Sequence, residues 1–137
     1  MILLDTQVFV WLFMGIAKLG EKSRAAIEEA RIQDSVLISA ITSWEISMLV
    51  SKNRLDLGQD VLHWIMAAFD APGVSLAPIT AEIAVEAGRL TGGIPGDPAD
   101  RLIVATARAL ACPLLTSDRR LLDYGHAGHF EAIDARR

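Results

Sequence analysis

Residues 96–121 read GDPADRLIVATARALACPLLTSDRRL, and the order of turn residues and apolar runs within them decides the fold. Asp97 stands where a side chain caps free helix N–H groups, Pro98 suits the first helical position, and Asp100 falls near the positive end of the helix dipole. A helix over Pro98–Ala111 is therefore expected. The short apolar run Pro113–Leu115 reads as a strand, and Asp118 follows it in the first turn of a helix over Arg119–Tyr124, with Thr116 or Ser117 in capping position. A helix, a strand and a helix thus follow one another within a few residues.

The same alternation extends outward in both directions. Further branched apolar runs bounded by turn residues lie at Ile2–Leu4, Val36–Ser39, Val74–Ala77 and Phe130–Ile133. Helical spacing marks Thr6–Phe13, Glu21–Gln33, Ser43–Lys52, Gln59–Phe69 and Ala81–Leu90. Strands that alternate with helices make a parallel sheet, and strands covered on both faces need no polar alternation. The expected class is α/β, a three-layer α/β/α sandwich with a central parallel sheet of about five strands and right-handed crossovers. Residues 1–137 are expected to form a single domain, since the chain has the usual length of one and no long linker or repeat interrupts it.

Composition narrows the function. Apolar residues make up 52% and charged residues 22%, a globular balance that argues against disorder. No apolar stretch approaches the roughly 18 residues of a membrane span, and the start MILLDTQVFVWLFM has no basic flank and carries Asp5 inside it. A cytoplasmic protein with no membrane association is expected. The single cysteine, Cys112, sits in an apolar run and reads as a buried thiol in a reducing compartment. With 17 acidic against 13 basic residues, the chain lacks the broad positive field of non-specific nucleic-acid binders, so any grip on RNA must be local or assisted by metal ions.

Four acids carry the chemistry. Asp5 ends the first strand, Glu45 lies beyond the second, Asp100 opens the long helix, and Asp118 follows the fourth strand. Each has an ordinary local explanation: Asp5 as a helix cap, Thr42-x-x-Glu45 as a capping box, Asp100 and Asp118 as first-turn acids. On one parallel sheet, however, all four fall at the same carboxyl edge, where such folds bind ligands. Four carboxylates there would raise each other's pKa unless a cation intervened. Oxygen ligands without Cys or His favour Mg²⁺ or Mn²⁺.

The segments LLDT, SAITSWEI, GDPADRLIVATA and LLTSDRRLLDY, in this order over nearly the whole chain, resemble the PIN-domain toxins of the VapC type. That resemblance implies a metal site made by Asp5, Glu45, Asp100 and Asp118, with Asp97 beside it and hydroxyls from Thr6 and from Thr116 or Ser117 orienting the acids. It implies Mg²⁺- or Mn²⁺-dependent endoribonuclease activity on tRNA or other structured RNA. It also implies a homodimer neutralised by a cognate VapB-like antitoxin, possibly within a larger toxin–antitoxin assembly. Two positions depart from the family pattern: Gln7 and Pro95 stand where relatives often carry His.

Among the basic residues, Arg101 and Arg119 are the candidates for substrate phosphates, with Lys52, Arg54, Arg108 and Arg120 also placed to flank the acidic edge. Trp11, Trp44 and Trp64 read as core or dimer packing, and His126 and His129 as residues of a loop. The stretch TGGIPG lacks the Gly-Lys-Ser/Thr ending of a phosphate loop. A phosphoryl-accepting receiver needs a strand-end lysine, and none occurs after Lys52. A PIN-type module that binds RNA or antitoxin without turnover is the alternative to the nuclease, and the presence of all four acids speaks against it.

Overall fold

Short runs of Leu, Ile and Val with no polar alternation need cover on both faces, and the fold supplies it to the three inner strands. A computed structural model of the chain describes residues 1–94 and 97–137. Along the described residues run β1 (Ile2–Leu4), α1 (Thr6–Met14), α2 (Glu21–Ile32), β2 (Val36–Ser39), α3 (Ala40–Ser51), α4 (Val61–Phe69), β3 (Val74–Ala77), α5 (Ala81–Arg89), α6 (Pro98–Leu110), β4 (Leu114–Thr116), α7 (Arg119–His126) and β5 (Ala132–Asp134). The five strands form one parallel sheet in the order β3-β2-β1-β4-β5. The expected α/β architecture is thus the observed one.

β1 is the centre of the sheet and feeds both layers of core. Ile2 and Leu4 pack with Val8, Phe9, Ile27 and Ile65 on one face, while Leu3 turns to the other and meets Ile103, Val104, Leu114 and Leu121. Phe9 lies 5.0 Å from the Phe13 ring, 5.6 Å from Trp64 and 6.0 Å from Phe69, centroid to centroid, which locks α1 against α4. Such aromatic pairs contribute about 0.5–1.5 kcal/mol each beyond the area they bury. The start of α1, where Asp5 and Thr6 sit, is fixed by this packing.

Strand order sets the position of the crevice. From β1 the chain moves outward to β2 and β3, then returns past β1 to build β4 and β5 on its other side. Connections leave the carboxyl ends of β1 and β4 in opposite directions and open a cleft between them. Asp5 immediately follows β1, and Asp118 lies two residues beyond β4.

Several boundaries differ from the sequence reading. α3 begins at Ala40, three residues early, because the Ser39 hydroxyl caps it by accepting from the Ile41 N–H at 3.2 Å. Thr42 is therefore inside the helix, and the capping box with Glu45 does not exist. α7 is capped by Asp118 itself, which accepts from the Arg120 and Leu121 N–H groups, while the Thr116 hydroxyl accepts from the Asp118 N–H at 3.1 Å. α4 starts at Val61 because the Asp60 carboxylate accepts from the His63 N–H. β4 is shifted by one residue because Pro113 has no N–H to give; its carbonyl accepts from the Leu3 N–H, and ladder pairing with β5 starts at Leu114 opposite Ala132. His126 closes α7 rather than lying in a loop, and the ring of His129 stacks on Tyr124 at 3.9 Å.

Trp11 is buried and Trp64 half-buried in the core, but Trp44 projects from α3 into solvent at 53% exposure. Cys112 is buried, as expected, and burial pushes its thiol pKa up, away from reactivity. Among the described residues no helix is long and apolar enough to cross a membrane.

Candidate active site

All four acids expected at the sheet edge line one cleft, together with Asp97, Thr6, Gln7 and Arg120. Its volume is about 700 Å³, and its far wall is apolar, built from Val10, Trp11, Ile16, Leu49 and Leu55, with Arg54 beside them. Each acid arrives there by a different local device. Asp5 reaches it from the end of β1, where one carboxylate oxygen caps α1 by accepting from the Val8 N–H at 2.8 Å. Its other oxygen accepts a short hydrogen bond from the Thr116 hydroxyl. A single side chain thereby links β1, α1 and β4.

Glu45 is presented by the second turn of α3. Thr6 donates to its Oε1 at 2.5 Å, and the remaining hydrogen of the pair lets Thr42 donate to the Thr6 hydroxyl at 3.0 Å. The chain Thr42–Thr6–Glu45 fixes the carboxylate through α1, so Thr6 orients an acid as the resemblance implied. Thr42, which the sequence suggested as a helix cap, instead supports the site through Thr6, a partner 36 positions away that no local pattern shows. Across the cleft, Ser117 donates to the Gln7 Oε1 at 3.1 Å, tying α1 to the segment after β4.

Asp97 caps α6 by accepting from the Ala99 and Asp100 N–H groups. Asp100 is the third residue of that helix and is left free to face the cleft. Only one cation approaches these groups: Nη2 of Arg120 stands 3.6 Å from an oxygen of Asp118 and 4.0 Å from one of Asp100. The two acids thus share one guanidinium among the described residues.

Electrostatics report the crowding. Burial pushes the Asp5 pKa up to about 6, with the charges of Asp100 and Asp118 adding to it and the hydrogen bonds from Thr116 and Val8 opposing it. Asp100 is pushed up to about 7, first by burial and then by Asp97, Asp118 and Glu45, while Arg120 pulls the other way. The Glu45 pKa is also raised, by burial first, with the Thr6 hydrogen bond opposing and Asp97 and Asp5 adding. These are carboxylates held where negative charge is disfavoured, which is the electrostatic condition for cation binding.

The donor set fits a hard divalent ion in chemistry: carboxylate oxygens converge from Asp5, Glu45, Asp100 and Asp118, with no Cys or His lining the cleft. In geometry the acids stand apart, and among the described residues no three of them are already in coordination positions. A divalent ion held here would draw on Asp5, Glu45, Asp100 and Asp118 while keeping part of its own water shell.

Two expected phosphate ligands are placed elsewhere. Arg101 does not line the cleft; its guanidinium donates to the carbonyls of Ala87, Gly88 and Leu90 at 2.9, 3.4 and 2.9 Å, closing the carboxyl end of α5. The free carbonyls of a helix end, close to the amino-terminal half of α6, outcompete a distant carboxylate. Arg119 is exposed, does not line the cleft and makes no ion pair among the described residues. Arg108 is occupied by Glu86 and by the His129 carbonyl. Pro95 lies outside the described residues.

Comparison with known proteins bears on the family and the fold. The PIN domain family matches residues 2–127. The chain is 37% identical over 125 residues to ribonuclease VapC22 of Mycobacterium tuberculosis, an alignment covering 91% of this chain and 92% of that protein. Among solved structures, VapBC2 of Rickettsia felis bound to a DNA fragment from its promoter superposes with a TM-score of 0.69 at 18% identity, covering 97% of this chain and 98% of the other. FitAcB of Neisseria gonorrhoeae gives a TM-score of 0.66 at 22% identity, with 98% of both chains covered. At these identities the structures establish likeness of fold.

Proposed function

The chain belongs to the PIN domain family, and on that basis we propose that it is a divalent-metal-dependent endoribonuclease, the toxin of a toxin–antitoxin pair, with Asp5, Glu45, Asp100 and Asp118 as its metal-binding and catalytic acids. The observation that carries the proposal is the meeting of these four carboxylates, distant in sequence, in one cleft at the sheet's switch point. The relative at 37% identity is named a ribonuclease, which supports the reaction class. Mg²⁺ or Mn²⁺ is the ion that this donor set suits, and residues 1–137 are read as one domain.

A bound ion of this kind supplies Lewis acidity, making a water more acidic for attack on phosphorus and neutralising charge on the phosphoryl and leaving oxygens. The protein's part is to position the acids. Thr116 holds Asp5, Thr6 holds Glu45 with Thr42 behind it, and Asp97 fixes the first turn of α6 so that Asp100 faces the cleft. The half-apolar cleft excludes water from one side of the acids and leaves room for nucleotides of an RNA strand.

One structural neighbour is a toxin–antitoxin complex from Klebsiella pneumoniae and another is VapBC2, which supports a VapB-like antitoxin as protein partner. The exposed apolar side chains Trp44, Leu62 and Met66 on α3 and α4 offer surface for such a partner or for a second copy of the chain. Together these support a cytoplasmic toxin that acts as a homodimer, held silent in a larger assembly.

The test is cleavage of RNA by the purified protein with Mn²⁺ or Mg²⁺ and with chelator. Asp5→Asn and Asp100→Asn are each expected to lower the rate at least a hundredfold while leaving the far-ultraviolet circular dichroism unchanged. Cleavage at the parental rate by both variants would remove these acids from the mechanism.

A further inference from the structure

The geometry points to Arg120 as a built-in counter-cation that occupies the acidic cleft until a divalent ion displaces it, and that then serves as a ligand for an RNA phosphate. The inference rests on the nuclease reading of the cleft and adds a residue to it. Among the described residues Arg120 is the one cation in the cleft that is paired with site acids, and a single nitrogen, Nη2, reaches both Asp118 and Asp100. That nitrogen stands where positive charge is wanted, between two helices whose amino termini each present an acid.

The pairing is loose. Both contacts are longer than a hydrogen bond, at 3.6 and 4.0 Å, and the Arg120 side chain is 65% exposed, whereas Asp100 is 17% exposed. An exposed guanidinium at such distances contributes little and moves easily. A divalent ion brings twice the charge to the same carboxylates, so Arg120 gives way on its entry. Its backbone stays fixed, because the Arg120 N–H is held by the Asp118 carboxylate at 2.8 Å. The freed fork therefore remains at the rim of the cleft, beside the acids, where the phosphate of a bound strand arrives. Planar guanidinium matches phosphate in paired hydrogen bonds. Of the other arginines near this edge, Arg101 is held by α5 carbonyls and Arg108 by Glu86, while Arg54 lines the cleft without pairing to a site acid among the described residues.

Two measurements on Arg120→Gln test this. Mn²⁺ titrated into the RNA-free protein is expected to bind roughly two- to fivefold tighter than to the parent, since a competitor for the acids is gone, the range that one exposed ion pair supplies. In the cleavage assay at saturating Mn²⁺, KM for RNA is expected to rise several-fold with kcat little changed. Arg120→Lys should restore much of the parental Mn²⁺ affinity and only part of KM, because an ammonium competes as a charge but cannot make the paired contact. Arg119→Gln removes the same charge one residue away and controls for net charge. Equal Mn²⁺ affinity in the parent and Arg120→Gln would overturn the counter-cation role while leaving the metal site intact. An unchanged KM would overturn the phosphate role, and absence of Mn²⁺ binding in every variant would overturn this inference and the metal-dependent reading together.

Discussion

At the scale of single residues, the site acids do two jobs at once, and this limits what the sequence alone could tell. Asp5, Asp97 and Asp118 are all helix caps; the cap reading of Asp5 and Asp97 was correct and still incomplete, while Asp118 takes the capping place expected of Thr116 or Ser117. Only their meeting in space distinguishes them from other caps such as Asp60. The pKa of Asp5 gives this a thermodynamic consequence. In the unfolded chain it is an ordinary carboxyl near 3.8, and in the fold burial holds it at about 6. The folded protein therefore binds more protons than the unfolded one between these values, and the stability of the ion-free protein falls as pH rises from about 4 to about 7. A shift of this size corresponds to at most about 3 kcal/mol. Asp5→Asn removes the charge but can keep both contacts, its oxygen accepting from the Val8 N–H and its amide donating to the Thr116 hydroxyl. With chelator present, the variant is expected to melt several degrees above the parent at pH 8 and close to it at pH 4. Mn²⁺ should reverse the order at pH 8, since it stabilises only the parent's carboxylate, and should have little effect near pH 5, where Asp5 and Asp100 are protonated. Thermal melts at the three pH values check all of these outcomes, and a parent that gains stability in chelator from pH 4 to pH 8 would contradict the burial argument.

At the scale of elements, the sequence announced which segments were helices and strands but not what their ends would touch. The apolar runs and the Asp97-Pro98 start of α6 were legible because they depend on neighbours within a turn. The Thr42–Thr6–Glu45 chain and the Arg101 contacts were not, because they join separate elements, 36 positions apart from Thr6 to Thr42 and 14 from Ala87 to Arg101. Arg101 illustrates the cost of that blindness: a cation expected at the phosphate instead fastens the end of α5 to α6. Three carbonyls accept from its guanidinium, and α5 contributes Ile83 and Ala87 to a small cluster with Ala105 of α6. Arg101→Ala leaves helix-end carbonyls without a donor and should lower stability by about 1–3 kcal/mol, measured by urea unfolding. Because Arg101 does not line the cleft, the affinity of the folded variant for Mn²⁺ should stay within about twofold of the parent. A large loss of ion affinity with stability intact would return Arg101 to the site.

At the scale of the whole molecule, the strand order 3-2-1-4-5 decides where the acids meet, and it follows from parallel connections rather than from any one motif. The class of fold and the edge on which the acids lie could be read from alternation of elements; the pairing of β1 with both β2 and β4 could not, since three short apolar runs are interchangeable in sequence. The segment after β5 is joined to β4 and to the start of α2 by contacts that no local pattern shows. The Ala135 N–H donates to the Thr116 carbonyl, the Gly20 N–H donates to the Ala135 carbonyl, and the Ser23 N–H donates to the Arg137 carbonyl. The segment after β5 thereby packs across the start of α2, and the absence of a side chain at Gly20 permits it: a Cβ there would lie 2.0 Å from the Arg137 oxygen. The φ of Gly20 is −73°, open to any residue, so the requirement is one of space and not of backbone freedom. Gly20→Ala should therefore push the terminal segment away and cost about 1–3 kcal/mol, the usual range for overpacking. Removal of Arg137 alone loses the Ser23 bond and should cost less, about 1 kcal/mol. In the Arg137-deleted background the further effect of Gly20→Ala should shrink without vanishing, because the Arg137 atoms it strikes are gone while the Arg136 oxygen, 2.5 Å from the added Cβ, remains. Urea midpoints for the two single variants and the double variant check this, and full additivity would mean that Gly20 matters for a reason other than the close approach of the terminal backbone.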